Sequence, residues 1–249
     1  MKVIYHPSYT QVYSTDPASK AGRIEAILKE IEGRYEFLQP QPATEKDIRR
    51  VHGQSHVNSI KRDPALYEIS CLAAGGAIMA AEMAMEGEAS FGLIRPPGHH
   101  ANPDHCWGFC FFNNIAVALA KLRAEERIKK ALILDFDLHF GDGTNAMFME
   151  SEMHYFQPDV NYRVGFVKKI TKRLSEKNGY EILAVSAGFD RHREDWGGQL
   201  TTEDYQTIGS LVKKASEKVC QGRRFAVLEG GYNHDVLGKN VKAFLEGLD

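Results

Sequence analysis

The chain of 249 residues lacks the features that mark several classes of protein. Its four cysteines are too few for a disulfide framework, so we expect free thiols and a reducing, cytoplasmic location. The formal net charge of −2 argues against a general binder of nucleic acids or anionic membranes. No apolar run approaches the length of a membrane span, and the N-terminus has no signal-peptide pattern, so we expect no membrane association.

Internal repeats, low-complexity tracts and interdomain linkers are also missing from the sequence, which predicts one domain over residues 1–249. Hydrophobic residues make up 43% of the chain and charged residues 26%, a balance typical of a globular protein with a large core. Short apolar strands alternate with helical patterns. The predicted strands are 2–5, 91–94, 131–134, 181–187 and 225–228, and the predicted helices are 22–32, 44–52, 72–86, 113–126, 165–177, one capped at Thr201 and one from about 236. This alternation predicts an α/β fold with a mostly parallel β-sheet covered by helices on both faces.

Residues 131–144 form the most informative stretch. An apolar run at 131–134 is followed by Asp135, Asp137 and His139 at every second position, where extended side chains point the same way. Burying such groups without partners is costly, and a cation at the strand end would remove that cost. Aspartate and histidine are ligands that suit zinc. The alternative is a solvated strand end whose acids cap the next helix, an interpretation better suited to a single aspartate than to this cluster.

Reactive residue types follow four of the predicted strands. They are His99 with His100, Asp135 with Asp137 and His139, Asp190, and Tyr232. In open α/β sheets, ligands bind beyond the carboxyl ends of the strands, and parallel strands place those ends on one rim. Residues far apart in the sequence are therefore expected to share one site.

The residue types in this set suggest a catalytic metal centre. Asp137, His139 and Asp190 supply three ligands and leave a position for water or substrate, which is the pattern of a catalytic zinc. The metal would polarise a carbonyl group and lower the pKa of bound water.

The remaining residues of the set suit acid–base chemistry beside the metal. The adjacent His99 and His100 can act as base and acid, and Asp135 and Asp142 are their natural hydrogen-bonding partners. Tyr232 could donate a hydrogen bond to the oxyanion that forms on the attacked carbonyl. Metal-assisted hydrolysis of an amide is the reaction that this set suits best.

Five motifs resemble the histone deacetylase family, which includes acetylpolyamine amidohydrolases and deacetylase-like proteins of bacteria and archaea. They are RPPGHH (95–100), GFCFFNN (108–114), DFDLHFGDGT (135–144), SAGFD (186–190) and LEGGY (228–232). The resemblance implies the arginase/deacetylase fold. It also implies zinc on Asp137, His139 and Asp190, an acid–base pair of His99 and His100 backed by Asp135 and Asp142, and a carbonyl-polarising Tyr232.

The resemblance further implies that Gly108 and Phe109 line an acyl-lysine channel. It implies a structural potassium ion held by Asp135 and the backbone around Asp137 and His139. The region between 147 and 190 is shorter than in the family and lacks the Pro/Gly-rich loop that supplies a second aromatic wall. We find no match for the family's substrate-gripping acid, and Phe140 stands where the family usually has a histidine. These departures predict a shallow, open site.

The function implied is a zinc-dependent deacetylase acting on an acetylated lysine side chain or a related acetylated small amine. The alternatives are an acetylpolyamine amidohydrolase, an arginase-like binuclear hydrolase, and a non-catalytic homologue that binds acyl-lysine in an open site. The sequence carries no indication of the acyl group, the amine or the oligomeric state.

Overall fold

A seven-stranded parallel sheet organises the computed structural model, which describes residues 1–176 and 179–249. The strands are β1 (Lys2–Ile4), β2 (Glu36–Leu38), β3 (Ser90–Gly92), β4 (Ala131–Asp135), β5 (Met153–Phe156), β6 (Ile182–Ala187) and β7 (Arg224–Leu228). Their order in the sheet is β2-β1-β3-β7-β6-β4-β5, and each neighbouring pair is parallel. The predicted α/β fold is confirmed.

Helices connect the strands and cover the sheet. In the described ranges they are α1 (Arg23–Ile31), α2 (Glu45–Ile48), α3 (Gln54–Ile60), α4 (Pro64–Met85), α5 (Asn114–Ala124), α6 (Asp142–Phe148), α7 (Arg163–Ser175), α8 (Thr202–Val219) and α9 (His234–Leu248). Helices α4 and α5 pack together as one group, and α1, α8 and α9 form a second, with members of both groups contacting the sheet. Every residue of β4, β6 and β7 is buried, as expected for central parallel strands.

Helix α4 differs from its prediction in length and in character. It begins at Pro64, where Asp63 caps it by accepting a hydrogen bond from the backbone N–H of Leu66. With 22 residues and a window of mean hydropathy 1.3, it reaches the length and composition of a membrane span, so the statement that no run approaches that length is wrong. Since 67% of that window is buried inside the fold, α4 has the character of a core helix, which meets the same criterion.

Four short elements have no counterpart among the predicted ranges: β2, α3, α6 and β5. Strand β5 lies between the predicted strands 131–134 and 181–187. It is a four-residue edge strand in which Met153 is buried and the other three side chains are half-buried, so it is too short to show an alternating pattern. The predicted end of α7 at Lys177 lies outside the described residues. All four cysteines are free thiols, as expected.

Candidate active site

Four neighbouring strands end beside one another and carry the predicted site residues. Strands β3, β7, β6 and β4 are adjacent in the sheet, so the segments that follow them meet at its carboxyl rim. The structure therefore brings together residues that are more than a hundred positions apart in the chain. The residues predicted to share one site thus lie together at this rim.

Asp137, His139 and Asp190 form the centre of this rim. One ligand atom from each lies within 4.8 Å of the others. The Asp137 carboxylate accepts hydrogen bonds from the backbone N–H of Gly230 at 2.8 Å and of His139 at 2.9 Å. Asp190 Oδ1 accepts one from the N–H of Leu138 at 2.9 Å. Backbone donors thus fix both carboxylates in place.

The donor set and its charges fit a divalent cation. Within the part of the chain that the structure describes, the buried Asp190 Oδ2 receives no hydrogen bond, although His139 Nδ1 lies 3.1 Å away. Burial and the nearby Asp137 raise the pKa of Asp190 to about 7. Burial opposes the charge of Asp137 as well, but His99 and His139 hold the pKa of that carboxyl well below its usual value. Two buried carboxylates, an imidazole and an unpaired oxygen are the arrangement that a zinc ion would satisfy.

Gly230 allows the carboxylates to approach the strand end. A Cβ atom at this position would lie 2.5 Å from Asp137 Oδ2 and 2.9 Å from Asp190 Oδ2. Any side chain would therefore displace the candidate ligands and remove the backbone approach that lets Gly230 donate to Asp137.

His99 and His100 lie beside this centre, each against its own carboxylate. His99 Nδ1 is 3.1 Å from Asp135 Oδ2, and His100 Nδ1 is 2.8 Å from Asp142 Oδ1. Burial and the neighbouring His99 lower the pKa of His100 to about 4. At His99, burial is outweighed by Asp137 and Asp135, which raise its pKa well above the usual value. The two imidazoles are thus tuned in opposite directions, as an acid and a base require.

Asp142 has two further partners, Asn102 and Trp107, and neither was predicted from the sequence. Asn102 Nδ2 donates to its Oδ2 at 2.7 Å. The indole Nε1–H of Trp107 lies 3.1 and 3.0 Å from the two carboxylate oxygens, and the indole ring lies over His100 with centroids 3.9 Å apart. Trp107 is half exposed and belongs to no recognised motif, so nothing in its local sequence indicated this role.

Tyr232 is held between aromatic rings. Trp196 stacks on it with centroids 4.1 Å apart, and Phe109 meets it edge-on at 5.9 Å. Its backbone N–H donates to Asp195 Oδ2 at 2.8 Å. Burial raises the pKa of the Tyr232 hydroxyl well above its usual value, so the group stays protonated and can donate a hydrogen bond.

Gly108 and Phe109 adopt left-handed backbone conformations beside His100 and Tyr232. Their φ angles are +61° and +68°. A Cβ at Gly108 would collide with the ring of His100. A phenylalanine in this conformation is uncommon, and such strain concentrates at functional sites. Gly108 thus lies against the His100 ring, and Phe109 contacts the Tyr232 ring.

The site is open, and its rim is aromatic. The side chain of His139 is 39% exposed, and the neighbouring Phe140 is 54% exposed. Tyr232 and Trp196 border a surface cavity of about 620 Å³ whose other side is formed by residues 12–21. The open site agrees with the prediction. Trp196, from the loop that follows Asp190, stacks on Tyr232 at this rim.

Glu229, the first residue after β7, also belongs to this rim and was not predicted from the sequence. Its buried carboxylate accepts hydrogen bonds from the backbone N–H groups of Gly98 at 2.7 Å and His99 at 3.2 Å. Burial raises the pKa of Glu229 to about 7. Glu229 directly follows the apolar strand β7, and Asp135 stands in a similar place at the end of β4. An acid at the end of an apolar strand is the feature that could have indicated the role of Glu229.

The predicted potassium site does not fit the residues present. The backbone oxygens of Asp137 and His139 accept hydrogen bonds from Gln157 Nε2 at 2.7 and 3.0 Å. The Asp135 carboxylate accepts hydrogen bonds from the Tyr155 hydroxyl and the Asp137 N–H, each at 2.9 Å. Because donors already occupy these oxygens, the residues present do not fit the potassium ion expected near Asp135.

Comparisons with known proteins show the family of this chain. Residues 17–163 and 159–248 match the model of the Histone deacetylase domain. The chain is 30% identical over 305 residues to a probable deacetylase of Methanothermobacter thermautotrophicus, covering 100% of this chain and 91% of that protein. It is 28% identical over 277 residues to a histone deacetylase-like amidohydrolase of Pseudomonas aeruginosa, covering 89% and 73%.

The fold has a close counterpart among solved structures. The crystal structure of the HDA15 HD domain superposes with a TM-score of 0.85 at 23% sequence identity, covering 99% of this chain and 88% of that one. With the family match over most of its length, the chain belongs to the histone deacetylase family. It is a hydrolase of the deacetylase and amidohydrolase class.

Proposed function

We propose that this protein is a zinc-dependent deacetylase that hydrolyses the amide of an acetylated lysine side chain or a related acetylated small amine. The observation that carries the proposal is the meeting of Asp137, His139 and Asp190 beside two histidines that each face a carboxylate. A cytoplasmic location is part of the proposal, supported by the four free thiols.

Asp137, His139 and Asp190 would hold the zinc ion, and the unpaired Asp190 Oδ2 supports that assignment. When bound, zinc polarises the acyl carbonyl and lowers the pKa of a water molecule. A three-residue ligand set leaves room for both.

The histidine pair moves the protons. Hydrolysis adds the hydroxyl of water to the acyl carbon and a proton to the amine nitrogen as the C–N bond breaks. The carboxylates of Asp135 and Asp142 hold the Nδ1–H of His99 and His100, which leaves each Nε2 free to exchange protons with the reacting groups. His100, whose pKa is about 4, is neutral at pH 7 and is suited to accept the proton from water.

Tyr232 stabilises the charge that develops on the acyl oxygen. Its hydroxyl remains protonated, and its ring is fixed by Trp196 and Phe109. One such donor contributes about 3 kcal/mol to lowering the barrier.

The substrate is held by the aromatic rim. Phe109 and Gly108 would contact the alkyl chain that carries the acetylated amine, and Trp196 would face it across Tyr232. The exposed His139 and Phe140 support access for a protein side chain as well as for a small amine.

The experiment compares turnover of a fluorogenic acetyl-lysine peptide with turnover of acetylated polyamines. Each is assayed with zinc, after chelation and after zinc is returned. We expect activity that chelation removes and zinc restores, with the faster substrate identifying the amine. Tight binding of acetyl-lysine peptides without turnover would instead support a non-catalytic acyl-lysine-binding protein.

A further inference from the structure

The candidate metal loop is the segment 137–139. Its three consecutive carbonyl groups accept hydrogen bonds from two side chains that lie outside it. Asp137 O accepts hydrogen bonds from Gln157 Nε2 at 2.7 Å and from Arg191 Nε at 2.9 Å. Leu138 O accepts one from Arg191 Nη2 at 3.2 Å, and His139 O accepts one from Gln157 Nε2 at 3.0 Å. A carbonyl oxygen has two lone pairs, so Asp137 O is fully used. A cation would need these same oxygens.

Hydrogen bonds hold the guanidinium of Arg191 in this position. Arg191 is 5% exposed, and its Nη1 donates to Gln199 Oε1 at 3.0 Å, so each of its three nitrogens has an acceptor. Its planar face lies 4.4 Å from the centre of the Phe166 ring. An arginine remains charged when buried, and its rigid fork suits several acceptors at once. The guanidinium of Arg191 therefore places a permanent positive charge beside the loop 137–139.

That charge faces a group of buried carboxylates. Asp135, Asp137 and Asp190 are all buried; burial lowers the pKa of Arg191, and these three carboxylates oppose that shift. Attraction between opposite charges is strong where water is excluded, and a second cation beside the guanidinium would be repelled. The chain itself thus supplies the positive charge and the donors that the loop carbonyls need.

We propose that Arg191, together with Gln157, takes the structural place of a monovalent cation, so that this protein binds its divalent metal and turns over substrate without potassium. Arg191 is then a positioning residue, which holds the backbone at 137–139 and through it the ligand side chains of Asp137 and His139. The inference rests on the proposed metal site, and metal binding tests it separately from catalysis.

The first test compares potassium, sodium and tetramethylammonium chloride at equal ionic strength. Zinc affinity is measured by competition with a chromogenic chelator, and turnover is measured in the same buffers. We expect both to agree within about twofold in the three salts, since general screening is equal. A potassium-specific gain of about tenfold in zinc affinity, the size that loop-supporting partners typically contribute, would overturn the proposal. If no acetylated substrate is turned over, the proposed function fails, and zinc affinity still decides the potassium question.

The second test replaces Arg191 with methionine and uses Arg193→Met as the matched control. Arg193 lies on the same loop, is exposed and pairs with Glu194. We expect zinc affinity to fall about 10- to 100-fold in Arg191→Met and to stay unchanged in Arg193→Met. Arg191→Lys should recover part of the loss, because lysine keeps the charge without the fork of donors. Equal zinc affinity in the two methionine variants would contradict the proposal.

Should Arg191→Met fail to fold, Gln157→Ala decides the question, because it removes a donor from Asp137 O and the donor to His139 O. We expect its zinc affinity to fall about tenfold. An unchanged affinity would show that the loop carbonyls do not need these donors.

Discussion

The carboxylate of Glu229 accepts a hydrogen bond from the backbone N–H of His99 at 3.2 Å and one from that of Gly98 at 2.7 Å. The contact joins the end of β7 to the loop that follows β3, its neighbour in the sheet. The position of the histidine pair therefore depends on a residue that lies more than a hundred positions further along the chain.

Replacing Glu229 with alanine leaves two buried N–H groups without an acceptor. We expect the free energy of unfolding to fall by about 2–4 kcal/mol, measured by urea denaturation. Glu229→Gln keeps an acceptor oxygen and should lose less. Equal losses in the two variants would show that the hydrogen bonds to Gly98 and His99 are not the cause.

Removal of metal should destabilise the protein. We expect one equivalent of zinc per chain, a lower Tm after chelation and recovery on adding zinc, because the ion binds only the folded site. Asp190→Asn should show no zinc-dependent change in Tm. Without metal, its Tm should be at least that of the wild type, since burial and Asp137 disfavour the Asp190 charge. Two equivalents of manganese per chain would favour the arginase-like binuclear alternative.

Replacing His100 with alanine should separate catalysis from metal binding. We expect kcat to fall by about 10²- to 10⁴-fold, the range for a positioned acid or base. Zinc content, measured by atomic emission, should remain at one equivalent, because His100 is not among the candidate ligands. Unchanged turnover would refute the role of His100.

Trp107 should influence turnover through Asp142. Trp107→Phe keeps a ring over His100 and removes the N–H that donates to the carboxylate, so we expect kcat to fall about tenfold with little change in KM. In an Asp142→Asn background the same substitution should have a much smaller effect, because coupled residues are not additive. Additive effects in this double-mutant cycle would show that Trp107 does not act through Asp142.

His52 should make stability depend on pH. Its Nδ1 lies 2.9 Å from Asn102 O, and its Nε2 accepts a hydrogen bond from the N–H of Asn113 at 2.9 Å. Burial and then His56 lower its pKa to about 3. The unfolded chain therefore binds a proton at higher pH than the folded one, and the contribution of His52 is complete above about pH 6.5 and is lost as the pH falls toward 3.

The measurement is the Tm of the wild type and of His52→Gln between pH 7.5 and pH 4. Glutamine offers a donor and an acceptor without titrating, so its Tm should decline less on acidification. Parallel curves for the two proteins would assign the pH dependence to other groups.

Asp135, Asp137 and His139 form the floor of the site. They could be predicted from the sequence because they lie close together in it. An apolar run that ends in Asp135, Asp137 and His139 reveals both the strand and the chemistry at its end. Arg191 has no such local pattern, because it resembles a solvated surface charge until β4 and β6 are placed side by side. Trp107 depends in the same way on Asp142, which lies 35 residues away.

The prediction of elements and of their boundaries failed where the local pattern was short. Strand β5 is a half-buried edge strand of four residues, and its Tyr155 became relevant only once its hydroxyl was seen to reach Asp135. The start of α4 was predictable in principle, because Asp63 and Pro64 are a typical cap and first-turn pair.

Asp135 connects the two halves of the site. It contacts His99 of the proton-transferring pair, the backbone N–H of Asp137 in the metal loop and the hydroxyl of Tyr155 from the sheet edge. A shift in any of these partners is transmitted to the others, so the floor of the site cannot be remodelled one residue at a time. Divergence toward new substrates in this lineage is therefore expected at the exposed indole of Trp196, whose contacts with His139 and Tyr232 are ring contacts rather than hydrogen bonds.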